Sequence, residues 1–144
     1  MLNKKTQYAL QALMFLAEQR NYEPVLIAEI SIKKKIPLKF LESILLQLKK
    51  EGILESKKGK KGGYFLSLPP SSIPLSKIIR ILQGPIAMLP CVSLYFYERC
   101  ENCDEKKCGL HDTMVLVRDA TLKLLDYKTV ADIAQLLPIS TIEI

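Results

Sequence analysis

The sequence predicts a mainly α-helical protein with one small β-hairpin, and three observations lead there. Apolar residues recur at helical spacing through three successive segments before residue 51. A glycine- and lysine-rich turn then sits between two apolar runs, and a further long helical pattern begins near residue 110. At 144 residues the chain can bury one core and still carry an appendage.

Residues 3–19 read as the first helix, with Asn3 able to cap its free amides and Ala9, Ala12, Leu13 and Leu16 on one face. Asn21, Tyr22, Glu23 and Pro24 break the pattern. Val25 to Lys34 reads as a second, shorter helix with Leu26, Ile27 and Ile30 turned inward. Lys33, Lys34 and Lys35 lead to Ile36 and Pro37, and a proline suits the first turn of a third helix from Leu38 to Lys50. Leu41, Ile44, Leu45 and Leu48 form its buried stripe, with Lys39, Glu42, Ser43 and Gln47 largely on the other side. Gly52 is placed to end that helix in a left-handed conformation.

Ile53 and Leu54 begin a strand, and Tyr64, Phe65, Leu66 and Leu68 supply its return. Between them, Lys57-Lys58-Gly59-Lys60-Lys61-Gly62-Gly63 makes a basic hairpin tip. Pro69 and Pro70 stop the hairpin. Ser76 to Leu82 reads as another amphipathic helix, closed by Gly84 and Pro85. Segment 86–108 lacks periodicity and reads as loop. A longer helix follows from about Leu110 to Leu125, with Met114, Val117, Leu124 and Leu125 among its apolar positions. Thr129 caps a last short helix to Leu137.

Charge is unevenly distributed. Residues 1–70 hold 13 Lys or Arg against 6 Glu, whereas residues 71–144 hold 8 against 9 Asp or Glu, so the excess positive charge belongs to the N-terminal half. A concentrated basic face attracts polyphosphate through counterion release. No apolar run of about eighteen residues occurs, which excludes a membrane-spanning helix, and the N-terminus lacks the layout of a secretion signal. A soluble, cytoplasmic protein is expected.

Three helices followed by a two-stranded hairpin is the layout of a winged helix-turn-helix. The third helix, about 20 Å long, has the size to lie in a major groove of double-stranded DNA. Its first turns carry Leu38, Lys39, Glu42 and Ser43, able to touch bases and phosphates, and a glutamate there can accept from a cytosine amino group. Lys57, Lys58, Lys60 and Lys61 of the wing would reach phosphates or the minor groove. The turn is not a nucleotide-binding loop, because the spacing and GK[ST] ending are absent. Two other classes compete. An oxidoreductase could use Cys100-x2-Cys103, but the βαβ pattern around such a pair is missing. A winged helix devoted to protein contacts needs no basic wing.

Over nearly the whole chain, from Lys5-Thr6-Gln7-Tyr8-Ala9-Leu10 to Thr129-Val130-Ala131-Asp132-Ile133, the sequence resembles the IscR-like (BadM-type) winged-helix transcription regulators. The strongest pieces are Phe40-Leu41-Glu42 with Leu45 and Leu48, Gly52-Ile53-Leu54, Gly59 with Gly62-Gly63-Tyr64, and Cys108-Gly109-Leu110-His111. The resemblance implies a homodimer, paired through the helix at 110–125, on a roughly palindromic operator with half-sites about one turn apart or a small multiple. By position Glu42 matches a residue that helps choose among DNA sequences, and Lys58 falls where a wing arginine is common. Lys5, in the first matching run, joins the DNA-facing candidates. The chain then divides into a DNA-binding domain at 1–84, a cysteine-rich sensor loop at 85–109, a dimerisation helix at 110–127 and a C-terminal helix and tail at 128–144.

All four cysteines lie between residues 91 and 108, in the order Cys91-x8-Cys100-x2-Cys103-x4-Cys108-x2-His111. Many members of the family ligate an iron–sulfur cluster through three cysteines in this loop. Here an extra cysteine and a longer first gap depart from the usual spacing. Four cysteines could hold a cluster, or three with His111. A carboxylate before the tyrosine of the first helix, used by other members, is replaced by Gln7. Tetrahedral zinc on four thiolates, a Cys100–Cys103 thiol switch without metal, and unligated thiols remain alternatives. A cluster would let redox, iron–sulfur or nitric oxide status change operator affinity.

Overall fold

The computed structural model describes residues 1–135. Helix α1 spans Lys4–Ala17, and Asn3 caps it as its sequence position predicts, its Oδ1 accepting from the Thr6 amide at 2.8 Å. Ala9, Ala12, Leu13 and Leu16 are all buried, forming the expected inward face. Helix α2 spans Ile27–Lys34 and α3 spans Leu38–Lys50. Between them Lys35 takes a left-handed conformation, and the amide of Ile36 returns to Ser31 O at 3.0 Å. Leu41, Ile44, Leu45 and Leu48 are completely buried, so α3 is pinned to the core by the stripe that its periodicity announces. At its end Gly52 has φ +77°. Its amide bonds Lys49 O at 3.1 Å, and the Ile53 amide bonds Leu48 O at 3.0 Å. These two bonds satisfy carbonyls that would otherwise be orphaned, and send the chain straight into the hairpin.

Strands β1 (Leu54–Lys57) and β2 (Gly63–Leu66) pair antiparallel, with Leu54 opposite Leu66 and Lys57 opposite Gly63. The second helix differs from expectation at its start. Val25 is extended and exchanges two backbone hydrogen bonds of 2.9 Å with Tyr64, so it adds an isolated bridge to the wing instead of a helical turn. The shift in phase leaves Leu26 exposed and Ile27 half-buried, where the sequence pattern turns both inward.

Helix α4 spans Leu75–Leu82, α5 spans Gly109–Tyr127 and α6 spans Val130–Ile133. The expected end of the last helix at Leu137 lies outside the described residues. α6 opens with a capping box between Thr129 and Asp132. It packs on α1, and Val130 and Ala134 belong to the same apolar cluster as Ala9 and Leu13. Backbone bonds from Val130 N to Ile73 O (3.0 Å) and from Leu75 N to Lys128 O (2.9 Å) sew this return into place. Of the long helix α5, only Leu122 is buried. Among the described residues, no helix is long and apolar enough to cross a membrane.

Thr6 is fully buried, and its Oγ1 has no hydrogen-bond partner. A buried hydroxyl without a partner loses its hydration for nothing in return. Thr6→Val, which keeps the shape, is therefore expected to leave stability unchanged or raise it by up to about 1 kcal/mol. Urea unfolding of the two proteins checks this, and a clear loss of stability would contradict it.

Candidate nucleic-acid interface and cysteine site

Burying one face of α3 forces the other outward. Leu38, Lys39, Glu42 and Ser43 are all exposed there, sharing a continuous outer surface in the first half of the helix. The wing stands beside it, with Lys57, Lys58, Lys60 and Lys61 all exposed around the turn. Two ties hold the wing to the helices. Lys49 Nζ at the end of α3 donates to Ser56 Oγ on β1 at 2.6 Å, and the Val25–Tyr64 bridge joins β2 to the entry of α2. Gly63 makes the bridge possible, because a Cβ at this position would lie 2.1 Å from the Val25 carbonyl oxygen. The bridge was missed at sequence level. Its available signal was a β-branched residue directly after Pro24, at the far end of a turn.

Lys5 is placed differently from the other basic candidates. It is half-buried, and its ammonium donates to Gln47 Oε1 at 2.6 Å. The same Gln47 donates through Nε2 to the carbonyl of Ile81 on α4 at 2.9 Å. Gln47 thus ties α1, α3 and α4 together, a role invisible in its polar position on the helical wheel.

The cysteine segment leaves α4 and runs to α5 through two single turns of 3-10 helix, Pro90–Val92 and Glu105–Lys107. The first part is a closed loop, since the Glu98 amide returns to Pro90 O at 3.2 Å. Arg118 of α5 donates to Val92 O at 2.7 Å and pairs with Asp119 at 2.7 Å, fastening the loop to the helix. Cys108 caps α5, its Sγ accepting the His111 amide at 3.4 Å. His111 lies in the first turn with Nδ1 3.5 Å from the Asp112 carboxylate.

Cys91, Cys100, Cys103, Cys108 and His111 line one cavity of about 410 Å³. Its wall is otherwise largely apolar, from Leu89, Pro90 and Leu110. The five predicted donors, scattered over 21 positions of sequence from 91 to 111, therefore share one chamber. All four thiols are free. The neighbouring Cys103 thiol, acting as hydrogen-bond donor to a Cys100 thiolate, holds Cys100 below its usual value, and the same pairing pushes Cys103 up to about 11. Among the described residues, no group of three His, Cys, Asp or Glu side chains is already gathered at metal-binding distances. The donor chemistry fits a thiolate-bound cluster or zinc, and ligation would have to draw the chamber in.

Comparison with known proteins agrees with this architecture. The profile of the Rrf2 family, iron-dependent transcriptional regulators, matches residues 2–136. An rrf2-like HTH-type transcriptional regulator of Rhodobacter capsulatus is 39% identical over 136 residues, covering 92% of this chain and 91% of that protein. Among solved structures, CymR, the global cysteine regulator of Bacillus subtilis, superposes with TM-score 0.77 at 28% identity over 96% of this chain and 98% of that one. IscR of T. potens gives 0.72 at 25% identity, over 94% and 86%. These relatives are regulators of transcription and not enzymes. The two rival classes, oxidoreductase and protein-only adaptor, fall away. A three-helix head with a basic wing, matched by a family profile along nearly its whole length, identifies a DNA-binding regulator, and the chain belongs to the Rrf2 family.

Proposed function

We propose that this regulator reads DNA as a homodimer and that the occupancy or oxidation of its cysteine chamber sets its operator affinity. The observation that carries the reading is the single cavity lined by Cys91, Cys100, Cys103, Cys108 and His111. An iron–sulfur cluster held by the four thiols, or by three of them with His111, is the favoured occupant. When bound it supplies a centre whose loss or oxidation responds to oxidants, nitric oxide and iron supply. The protein's part is to deliver thiolates from one irregular segment, to line the chamber with apolar groups, and to cap α5 with Cys108 so that ligation and helix position are linked.

In this reading residues 1–84 bind DNA, 85–109 sense, 110–127 pair the protomers, and 128–144 are the C-terminal helix and tail. Pairing is supported by Leu110, Val117 and Leu124, seven residues apart and exposed along α5, the spacing of a two-helix seam. With two heads so joined, Glu42, Ser43, Leu38 and Lys39 enter successive major grooves of a palindromic operator. Lys58 and its wing neighbours grip the flanking backbone.

A second reading rests on Cys100 and Cys103 lining the same chamber with two residues between them, which puts an ionisable thiol beside its natural disulfide partner. Structural zinc is the third occupant. Anaerobic purification, a visible spectrum and assays for iron, sulfide and zinc separate them. Visible absorbance with matching iron and sulfide is the expected result, and replacing His111 then decides the ligand set. Stoichiometric zinc or a metal-free protein that oxidises at Cys100 and Cys103 would replace the cluster with one of the rivals. Operator affinity identical in the wild type and in a variant with all four cysteines changed to serine would overturn the sensing role altogether.

A further inference from the structure

The cysteine chamber and the exposed face of α3 are built from different segments of the chain, and sensing needs a physical link between them. One short chain of contacts joins them. The loop closed by Glu98 N on Pro90 O begins with Cys91 and is followed, after Arg99, by Cys100, and all of these line the chamber, so both of its ends are tied to it. At its tip it presents Tyr95. The guanidinium of Arg80 on α4 lies 4.7 Å from the centre of the Tyr95 ring. The next residue, Ile81, offers the carbonyl that accepts from Gln47 of α3 at 2.9 Å. Gln47 in turn is held by Lys5.

We propose that Tyr95, Arg80 and Gln47 are positioning residues that transmit the state of the cysteine chamber to the recognition helix. This inference rests on the sensing role proposed above. Drawing Cys91 and Cys100 toward a common ligand, or releasing them, moves the tip of a loop whose base is pinned at Val92 by Arg118. The Tyr95 ring is exposed and held by few neighbours, so a small displacement breaks its face-on contact with the guanidinium. Arg80 and Ile81 are adjacent on a two-turn helix, and a shift of one alters where the other presents its carbonyl. Gln47 has two polar partners on two different helices, so losing either changes how α3 sits on α1 and α4. Tyr95, Arg80 and Gln47 lie outside the candidate DNA-contacting set, which sets them apart from the exposed Glu42 and Ser43 of α3.

The test uses the full-length protein and a duplex selected by the wild type from a randomised pool. Affinity is measured with reduced, metal-stripped protein, with protein reconstituted with iron and sulfide, and with protein oxidised by diamide. In the wild type the affinity ratio between stripped protein and the active state is expected to fall in the range typical of coupled sites, about 5- to 150-fold. In Tyr95→Leu and in Arg80→Gln that ratio is expected to drop to within about twofold of one. Both variants should still take up iron and sulfide or oxidise as the wild type does, with unaltered Tm. Hydrogen exchange supplies a readout without DNA. Amides of α3 change protection between the two states in the wild type and not in the variants. A full wild-type ratio in Tyr95→Leu and Arg80→Gln would overturn the link and leave the sensing role standing. A wild-type ratio of one in every state would overturn both.

Discussion

Gly63→Ala is expected to unseat the wing. Gly63 has φ +134°, and an added Cβ would lie 2.1 Å from the oxygen and 2.2 Å from the carbon of the Val25 carbonyl. Both neighbours are backbone, so neither can swing away as a side-chain tip would. The backbone must leave a conformation that non-glycine residues rarely adopt, and the two 2.9 Å bonds between Val25 and Tyr64 must open to make room. Strain, overlap and lost hydrogen bonds together are expected to cost about 3 kcal/mol or more, at the severe end for a single substitution. Denaturant unfolding measures the loss. Gly59→Ala is the control, because it shares a positive φ while no atom lies within 4 Å of its added Cβ, so only the backbone term applies. Similar losses for the two variants would show that the close approach at Val25 contributes little.

Neutralising the wing is expected to have the largest effect on function. Changing Lys57, Lys58, Lys60 and Lys61 together to glutamine removes four exposed positive charges without touching a buried side chain. Stability should change by less than about 0.5 kcal/mol, as for surface substitutions in general. DNA affinity should fall about 10- to 1000-fold at low salt, across specific and random duplexes alike, because phosphate contacts carry no sequence information. The slope of log K against log salt should flatten by roughly 0.9 for each lysine that neutralises a phosphate. Glu42→Ala makes the contrast, with altered sequence preference and little change in slope. An unchanged slope in the quadruple variant would place the DNA elsewhere on the molecule.

What could be read from sequence was set by the range of the interactions involved. The buried stripe of α3, the Asn3 cap, the Gly52 terminus and the Thr129 cap are all local, decided within a turn or two of the residue concerned. Each is found where the pattern places it. The error at Val25 is of the opposite kind. Its apolar side chain continues a helical pattern, but its backbone is claimed by Tyr64 across the fold, and no window of adjacent residues reveals that competition. The candidate sites divide the same way. The exposed residues of α3 follow from its periodicity, whereas the chamber depends on how segment 89–111 folds over itself. Gln47 read as one more polar residue because both its partners, Lys5 and the Ile81 carbonyl, come from other helices.

The docking of α6 on α1 has a consequence for how the protein is made. The apolar cluster that includes Ala9 and Leu13 is completed by Val130 and Ala134, which follow the cysteine segment in the chain. During synthesis the first three helices and the hairpin emerge early and can meet through short-range contacts. The small-residue face of α1 stays uncovered until the far end of the chain arrives. The final step closes a long loop, the kind of contact that slows folding and leaves apolar surface exposed meanwhile. Because the cysteines lie within that loop, a ligand taken up before closure meets an untethered segment, and one taken up afterwards must fit a loop anchored at both ends. The order of filling and closing is thus part of the protein's maturation, and a fragment ending at residue 84 would be a nascent chain's unfinished core.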